Sequence, residues 1–135
     1  MRLVVDSSAI VAVCLAGGRL GPLSGHELHA PALLASEVAS SISEQQFRGE
    51  VQPEVAAGAI GYLTALDIEY RPAPSLAEAA FRLARERGWA KTYDAEYVVL
   101  AQAIGCPLLT LDDRLRRGAE RLVAMLTFDD LRAAN

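Results

Sequence analysis

The sequence predicts an α/β sandwich built on parallel strands. Short apolar runs alternate with helical segments, and connections of this length favour parallel pairing through right-handed crossovers. Two of the runs close on a carboxylate: Leu3-Val4-Val5 on Asp6, and Leu108-Leu109-Thr110-Leu111 on Asp112. In a parallel sheet both acids then come to the edge where open α/β sheets bind ligands.

Residues 2–6 read as a fully buried strand. Ser7 to Ala16 reads as a helix stopped by Gly17-Gly18, followed by a Gly- and Pro-punctuated loop or short helical turn. Glu27 to Ala30 is a weak strand, and Pro31 suits the first turn of a helix over 32–48 that ends near Gly49. A further helix starts at Pro53 and runs to about Ala65. Its Gly58 and Gly61 each cost roughly 1 kcal/mol against Ala and read as points of close helix contact.

Ile68 to Arg71 is a short strand before the Pro72-Ala73-Pro74 break. Ser75-Leu76-Ala77-Glu78 has the form of a capping box, opening a helix that carries Leu76, Ala80 and Leu83 on one face and ends at Gly88. Thr92 suits the cap of the next helix, whose stripe is Tyr93, Tyr97, Leu100, Ala101 and Ile104, with Gly105 at its end. Pro107 opens a strand over 108–112. A basic helix at about 113–119, a strand around 122–126 and a short helix from Asp129 on complete the chain. With no repeats, low-complexity tracts or linkers, residues 1–135 read as one domain.

A chain of 135 residues with 52% hydrophobic residues and a mean hydropathy of +0.20 supports a substantial core. The net charge of −4 excludes a generally basic nucleic-acid binder. The basic residues are nonetheless clustered. Arg82, Arg85, Arg87 and Lys91 precede Asp94, and Arg114, Arg116, Arg117 and Arg121 follow Asp112, so a positive rim around an acidic centre is expected. Cys14 and Cys106 form no CxxC pair and sit in apolar contexts, as reduced core residues of a cytoplasmic protein do. Ser8 to Ala16 is as apolar as a signal peptide, but Asp6 precedes it and Arg2 is its only upstream basic side chain. No run reaches the roughly 20 apolar residues that a membrane span requires, so no membrane association is expected.

Four carboxylates carry the chemistry. Asp6 ends a buried strand; a helix cap is its plain alternative role, but Ser7 and Ser8 can also cap, and Ser8 is placed to hydrogen-bond a ligating carboxylate. Glu37 lies between Leu34 and Val38, where an acid must face a pocket, a partner or a cation. Glu44 lies on the same side but among polar neighbours. Asp94 falls in the first turn of its helix, where Asp94 and nearby Glu96 both suit the helix dipole. Of Asp112 and Asp113, one caps the following helix and one faces the site, and strand alternation puts Thr110 on the side of Asp112. Two carboxylates about 4 Å apart repel by roughly 4 kcal/mol at an effective dielectric near 20. Four converging acids therefore need a counter-ion, and hard oxygen ligands select Mg²⁺ (or Mn²⁺). Metal-assisted chemistry on a phosphate ester is the natural use.

His26 and His29 have a His-x-x-His spacing, but a closed zinc site needs about four ligands and both cysteines are distant, so they read as surface histidines beside a weak strand. There is no P-loop, GxGxxG, G-x-S-x-G or HExxH.

In this order the acids resemble those of PIN-domain ribonucleases, most closely the VapC toxins of toxin–antitoxin pairs. The resemblance spans essentially the whole chain. It is carried by Val4-Val5-Asp6-Ser7-Ser8-Ala9, by Ala35-Ser36-Glu37-Val38, by Tyr93-Asp94-Ala95-Glu96-Tyr97 and by Leu109-Thr110-Leu111-Asp112-Asp113-Arg114-Leu115. It implies a three-layer α/β/α sandwich with a central twisted parallel sheet. It also implies an acidic quartet of Asp6, Glu37, Asp94 and Asp112 around Mg²⁺ or Mn²⁺, with Ser8 and Thr110 at hydroxyl positions and Asp113 as an additional acid or a cap. The implied activity is hydrolysis of single-stranded or looped RNA, with Arg82, Arg85, Lys91, Arg114 and Arg117 as candidates to hold its backbone. The implied partners are a cognate VapB-like antitoxin, whose tail packs along an apolar groove, and a second copy in a homodimer. Two rivals come from other classes: a non-catalytic module whose acids hold a structural ion, and an aspartyl phosphoryl-transfer protein. Asp6-Ser7-Ser8 lacks the Asp-x-Asp expected of the latter.

Overall fold

The computed structural model describes residues 1–134. Five strands form one sheet: β1 (Arg2–Val5), β2 (Glu27–Pro31), β3 (Ile68–Arg71), β4 (Leu108–Leu109) and β5 (Met125–Leu126). The helices are α1 (Ser7–Leu15), α2 (Leu33–Phe47), α3 (Pro53–Ala65), α4 (Ala77–Arg87), α5 (Tyr93–Ile104), α6 (Asp113–Ala119) and α7 (Phe128–Ala134). Short 3-10 turns occupy Gly21–Leu23 and Ala73–Ser75. No helix among the described residues is long and apolar enough to cross a membrane.

The strand order is β3-β2-β1-β4-β5 and every pairing is parallel. The chain lays strands outward from β1 to β3, then returns to β1's other side for β4 and β5. Right-handed crossovers assign those two directions to opposite faces of the sheet. Accordingly α1, α2 and α3 pack on one another, while α4 packs on α5, which lies over β1, β2 and β4. With both faces covered, β1 needs apolar side chains on each. Leu3, Val4 and Val5 are all fully buried, which explains a continuous apolar run instead of an alternating one. The progression reverses between β1 and β4, and their C-terminal ends form the crevice that such sheets offer to ligands.

Several local expectations are corrected. The capping box does not form: Ser75 closes a 3-10 turn and its hydroxyl donates to the Pro72 carbonyl at 2.6 Å, leaving Leu76 as the N-cap of α4 without a side-chain bond. Thr92 stands at the N-cap of α5 but is already helical in backbone, and its hydroxyl makes no cap bond. β4 ends at Leu109, where the sequence reads a strand through 112: the Thr110 N–H still meets the Leu126 carbonyl at 3.2 Å, but the Asp112 N–H turns to the Thr110 hydroxyl. The glycines of α3 make no close helix contact. The demanding glycine is Gly18 instead: its φ is +75°, and a Cβ there would stand 2.6 Å from Cγ of Tyr62.

Candidate active site

The C-terminal ends of β1 and β4 are joined by hydroxyl groups. Asp6, 4% exposed, accepts through Oδ1 from the Ser8 hydroxyl at 2.6 Å and the Ala9 N–H at 3.1 Å, and through Oδ2 from the Thr110 hydroxyl. Thr110 is fully buried and accepts the Asp112 N–H at 2.9 Å. Ser8 accepts the Leu111 N–H at 2.9 Å. Asp6 is therefore both the N-cap of α1 and part of the site; Ser7 and Ser8 do not relieve it of capping. Asp112 does the same for α6, accepting from the N–H groups of Arg114 and Leu115 at 2.9 and 3.3 Å through Oδ1. Asp113 is exposed in the first turn of α6 and is not the cap.

Two helices bring the remaining acids. Glu37, near the start of α2, is half-buried and accepts the Tyr97 hydroxyl at 2.6 Å. Asp94 begins α5 and meets the Arg114 guanidinium at 3.5 Å. Burial raises the carboxyls of Asp6, Glu37 and Asp94 above their ordinary range. Hydrogen bonds from Ser8, Thr110 and Ala9 oppose this at Asp6, the Tyr97 hydroxyl at Glu37 and the Arg114 charge at Asp94. Neighbouring acids add to the rise: Asp112 acts on Asp6 and on Asp94, while Asp94 and Asp6 act on Glu37. Among the described residues, Arg114 is the cation that lowers one of these raised values, that of Asp94. The donors are all oxygen, the kind a hard divalent cation takes, but among the described residues the group of acids and histidine whose ligand atoms lie within 4.8 Å of one another is Glu27, His29 and Glu69, not three of these four.

The sequence reading missed three members of this neighbourhood. Tyr97 was assigned only to an apolar stripe, although a buried tyrosine hydroxyl needs a partner and Glu37 supplies it. Glu96 is buried, its Oε1 has no hydrogen-bond partner among the described residues, and burial and the charge of Glu37 both raise its carboxyl. Its place inside the otherwise apolar run Ala95–Ala101 was the available signal. Trp89 lines a cavity of about 520 Å³ together with Glu37, Lys91, Tyr93, Asp94 and Arg114.

The basic candidates divide. Lys91 and Arg114 lie at this cavity. Arg82 pairs with Glu78 at 2.9 Å on α4. Arg85 donates to the Trp89 carbonyl at 2.5 Å and stands over the Phe81 ring. Arg117 is exposed on α6. The histidines are not both surface groups: His29 is buried, with Nε2 at 2.7 Å from Glu27 and Nδ1 at 3.8 Å from Glu69. The pairing of His29 with Glu69 across β2 and β3 creates this cluster, and its ligand atoms lie within 4.8 Å of one another. It sits across β1 from β4 and is separate from the acidic edge. His26 instead faces the N-terminal amine at 3.2 Å. Cys14 and Cys106 are free thiols.

The chain matches a known class. The family model for the PIN domain matches residues 3–121. Ribonuclease VapC3 of Pyrobaculum aerophilum is 34% identical over 134 residues, covering 94% of this chain and 99% of that protein. Ribonuclease VapC9 of Mycobacterium tuberculosis is 34% identical over 114 residues, covering 84% and 87%. Ribonuclease VapC1 of the same species is 36% identical over 118 residues, covering 83% and 86%. In fold, the crystal structure of PAE2754 from Pyrobaculum aerophilum superimposes with a TM-score of 0.75 at 22% identity, covering 99% of this chain and 97% of that one. The chain belongs to the PIN-domain family, in the branch of the VapC ribonucleases.

Proposed function

We propose that the protein is a Mg²⁺- or Mn²⁺-dependent endoribonuclease, the toxin of a VapC-type toxin–antitoxin pair, with residues 1–135 as a single nuclease unit. The observation that supports this reading is the grouping of acids at the β1/β4 switch point: Asp6 directly after β1, Asp112 at the start of α6 beyond β4, and Glu37 and Asp94 on the helices beside them.

Asp6, Asp94 and Asp112, with Glu37, are the residues that would hold the cation. When bound, a divalent ion lowers the pKa of water and offsets charge on the phosphate oxygens. Ser8 and Thr110 hold the Asp6 carboxylate in one orientation, and Thr110 fixes the backbone of Asp112 at the same time. Glu37 orients the attacking water and takes its proton. Burial raises its carboxyl above the ordinary range, and Tyr97 fixes one of its oxygens. Lys91 and Arg114 hold the RNA backbone beside Asp94. In-line attack leaves a 5′-phosphate and a 3′-hydroxyl. The substrate is single-stranded or looped RNA, because the acids must reach an exposed phosphate.

The VapC relatives support a VapB-like antitoxin as partner. An apolar groove of about 380 Å³ between α2 and α3, lined by Ile42, Ala56 and Ile60, is the site we assign to its tail. The exposed Phe47, Val55 and Phe81 offer apolar surface for a homodimer. A cytoplasmic location follows from this reading and agrees with two free cysteines.

Purified protein with Mg²⁺ or Mn²⁺ is expected to cut single-stranded RNA, and EDTA and Asp94→Asn to abolish cutting. Cleavage that persists in excess chelator overturns the mechanism. Toxicity that survives Asp94→Asn points to the binding module, and a stable acyl phosphate after treatment with a phosphate donor points to phosphoryl transfer.

A further inference from the structure

We infer that the cavity beside Glu37 and Asp94 is a base-binding subsite, in which Trp89 and Tyr93 stack an unpaired nucleobase while Lys91 and Arg114 hold the adjoining phosphate. This deepens the ribonuclease reading and rests on it.

The cavity measures about 520 Å³ and is continuous with two of the proposed catalytic acids. Two aromatic side chains line it. Tyr93 is 52% exposed, a large ring kept on the surface one residue before Asp94. Trp89 is the only tryptophan of the chain and is half-buried. Its backbone N–H donates to the Ala84 carbonyl at 2.9 Å, and its backbone carbonyl accepts from Arg85. Its ring lies on α6, where a Cβ on Gly118 would stand 3.2 Å from Cζ2. The lack of a side chain at Gly118 thus leaves room for the indole against α6.

The cations complete the chemistry. Arg114 is 81% exposed and meets Asp94 at only 3.5 Å, so its guanidinium remains available to an anion. Lys91 stands between the two aromatic residues in sequence and lines the same space. Flat aromatic faces beside cations suit a ligand that joins a planar ring to an anion, as a nucleotide does. Stacking tolerates any base, so this subsite selects unpaired RNA over duplex more strongly than it selects one base over another. The antitoxin chain is the competing occupant, and the acids and cations shared with the proposed cleavage site favour RNA.

Because Trp89 has no tryptophan neighbour, its fluorescence reports the subsite directly. The full-length protein with Mg²⁺ is titrated with 5′-AMP, 5′-UMP and ribose 5-phosphate, which carries the anion without the ring. Both nucleotides are expected to change Trp89 emission saturably, and ribose 5-phosphate to leave it nearly unchanged. Tyr93→Ala, at an exposed position, is expected to weaken nucleotide binding about tenfold. In cleavage of single-stranded RNA, Trp89→Leu is expected to raise KM about tenfold with kcat little changed, and Trp89→Phe to restore most of the loss. Equal responses to ribose 5-phosphate and nucleotides overturn the proposal, as do silence toward nucleotides or an unchanged KM in a folded Trp89→Leu protein. The two readings fail separately. Quenching by both nucleotides but not by ribose 5-phosphate, in a protein that cuts no RNA, removes only the nuclease reading, whereas RNA cleavage indifferent to Trp89 and Tyr93 removes only the subsite.

Discussion

Thr110 and Asp6, 104 residues apart in sequence, share a buried hydrogen bond at the ends of adjacent parallel strands. The same Thr110 oxygen accepts the Asp112 N–H. One hydroxyl therefore sets the orientation of the β1 acid and the backbone of the β4 acid, and a side chain lacking it loses both.

Thr110→Val keeps the shape and removes the hydroxyl. It strands the Asp112 N–H and takes a donor from a buried carboxylate. The expected loss of stability is about 1–3 kcal/mol, measured by denaturant unfolding. Thr110→Ser, which retains the hydroxyl, should recover most of it. A Thr110→Val protein as stable as wild type would show that Asp6 is satisfied without Thr110.

Glu37→Gln keeps the side chain's size but removes its proton-accepting capacity. Cleavage is expected to fall by about 10²–10⁴-fold in kcat, with the fold intact by circular dichroism. Tyr97→Phe leaves the acid in place and frees its orientation, so a smaller loss of roughly 10–100-fold is expected. A larger effect from Tyr97→Phe than from Glu37→Gln contradicts these roles.

The raised carboxyls fix the sign of a pH effect. Asp6 and Asp94 have ordinary values of 3.8 and Glu37 of 4.5, and burial lifts each in the native state. A carboxyl whose native value exceeds its unfolded one favours the protonated fold. Its stabilising contribution is complete below the unfolded value and is lost as pH rises through the native one. In metal-free protein, the Tm of wild type relative to Asp6→Asn is therefore expected to fall as pH climbs from about 4 toward neutrality. A divalent cation binds the ionised acids, so stabilisation by added Mn²⁺ should grow over the same window. Thermal melts at stepped pH, with and without Mn²⁺, test both; a wild-type advantage that increases with pH in the absence of metal contradicts the assignment.

Gly18 carries a constraint of a different kind. With φ at +75° and the Tyr62 ring where a Cβ would go, Gly18→Ala combines a left-handed backbone penalty with a clash against α3. The backbone term alone is about 1–2 kcal/mol. Gly25→Ala, with φ +83° and open space around it, isolates that term and should cost less in the same unfolding assay.

Much of the protein was legible before any coordinates. Strand and helix order, the apolar core runs and the two strand-ending acids follow from patterns within about ten residues, because secondary structure and burial are decided over that range. The motif around Asp94, together with those at Asp6, Glu37 and Asp112, carried the family. What the sequence could not express is which side chains meet. Tyr97 reaches Glu37 across 60 residues, and Glu69 joins Glu27 at His29 only because β2 and β3 align in one register. Asp6 serves as cap and site residue together because Thr110 arrives from β4 to occupy its second oxygen. Such contacts depend on strand register and helix docking, which are properties of the packed chain as a whole. Periodicity says which face a residue takes, and packing alone decides what stands opposite it.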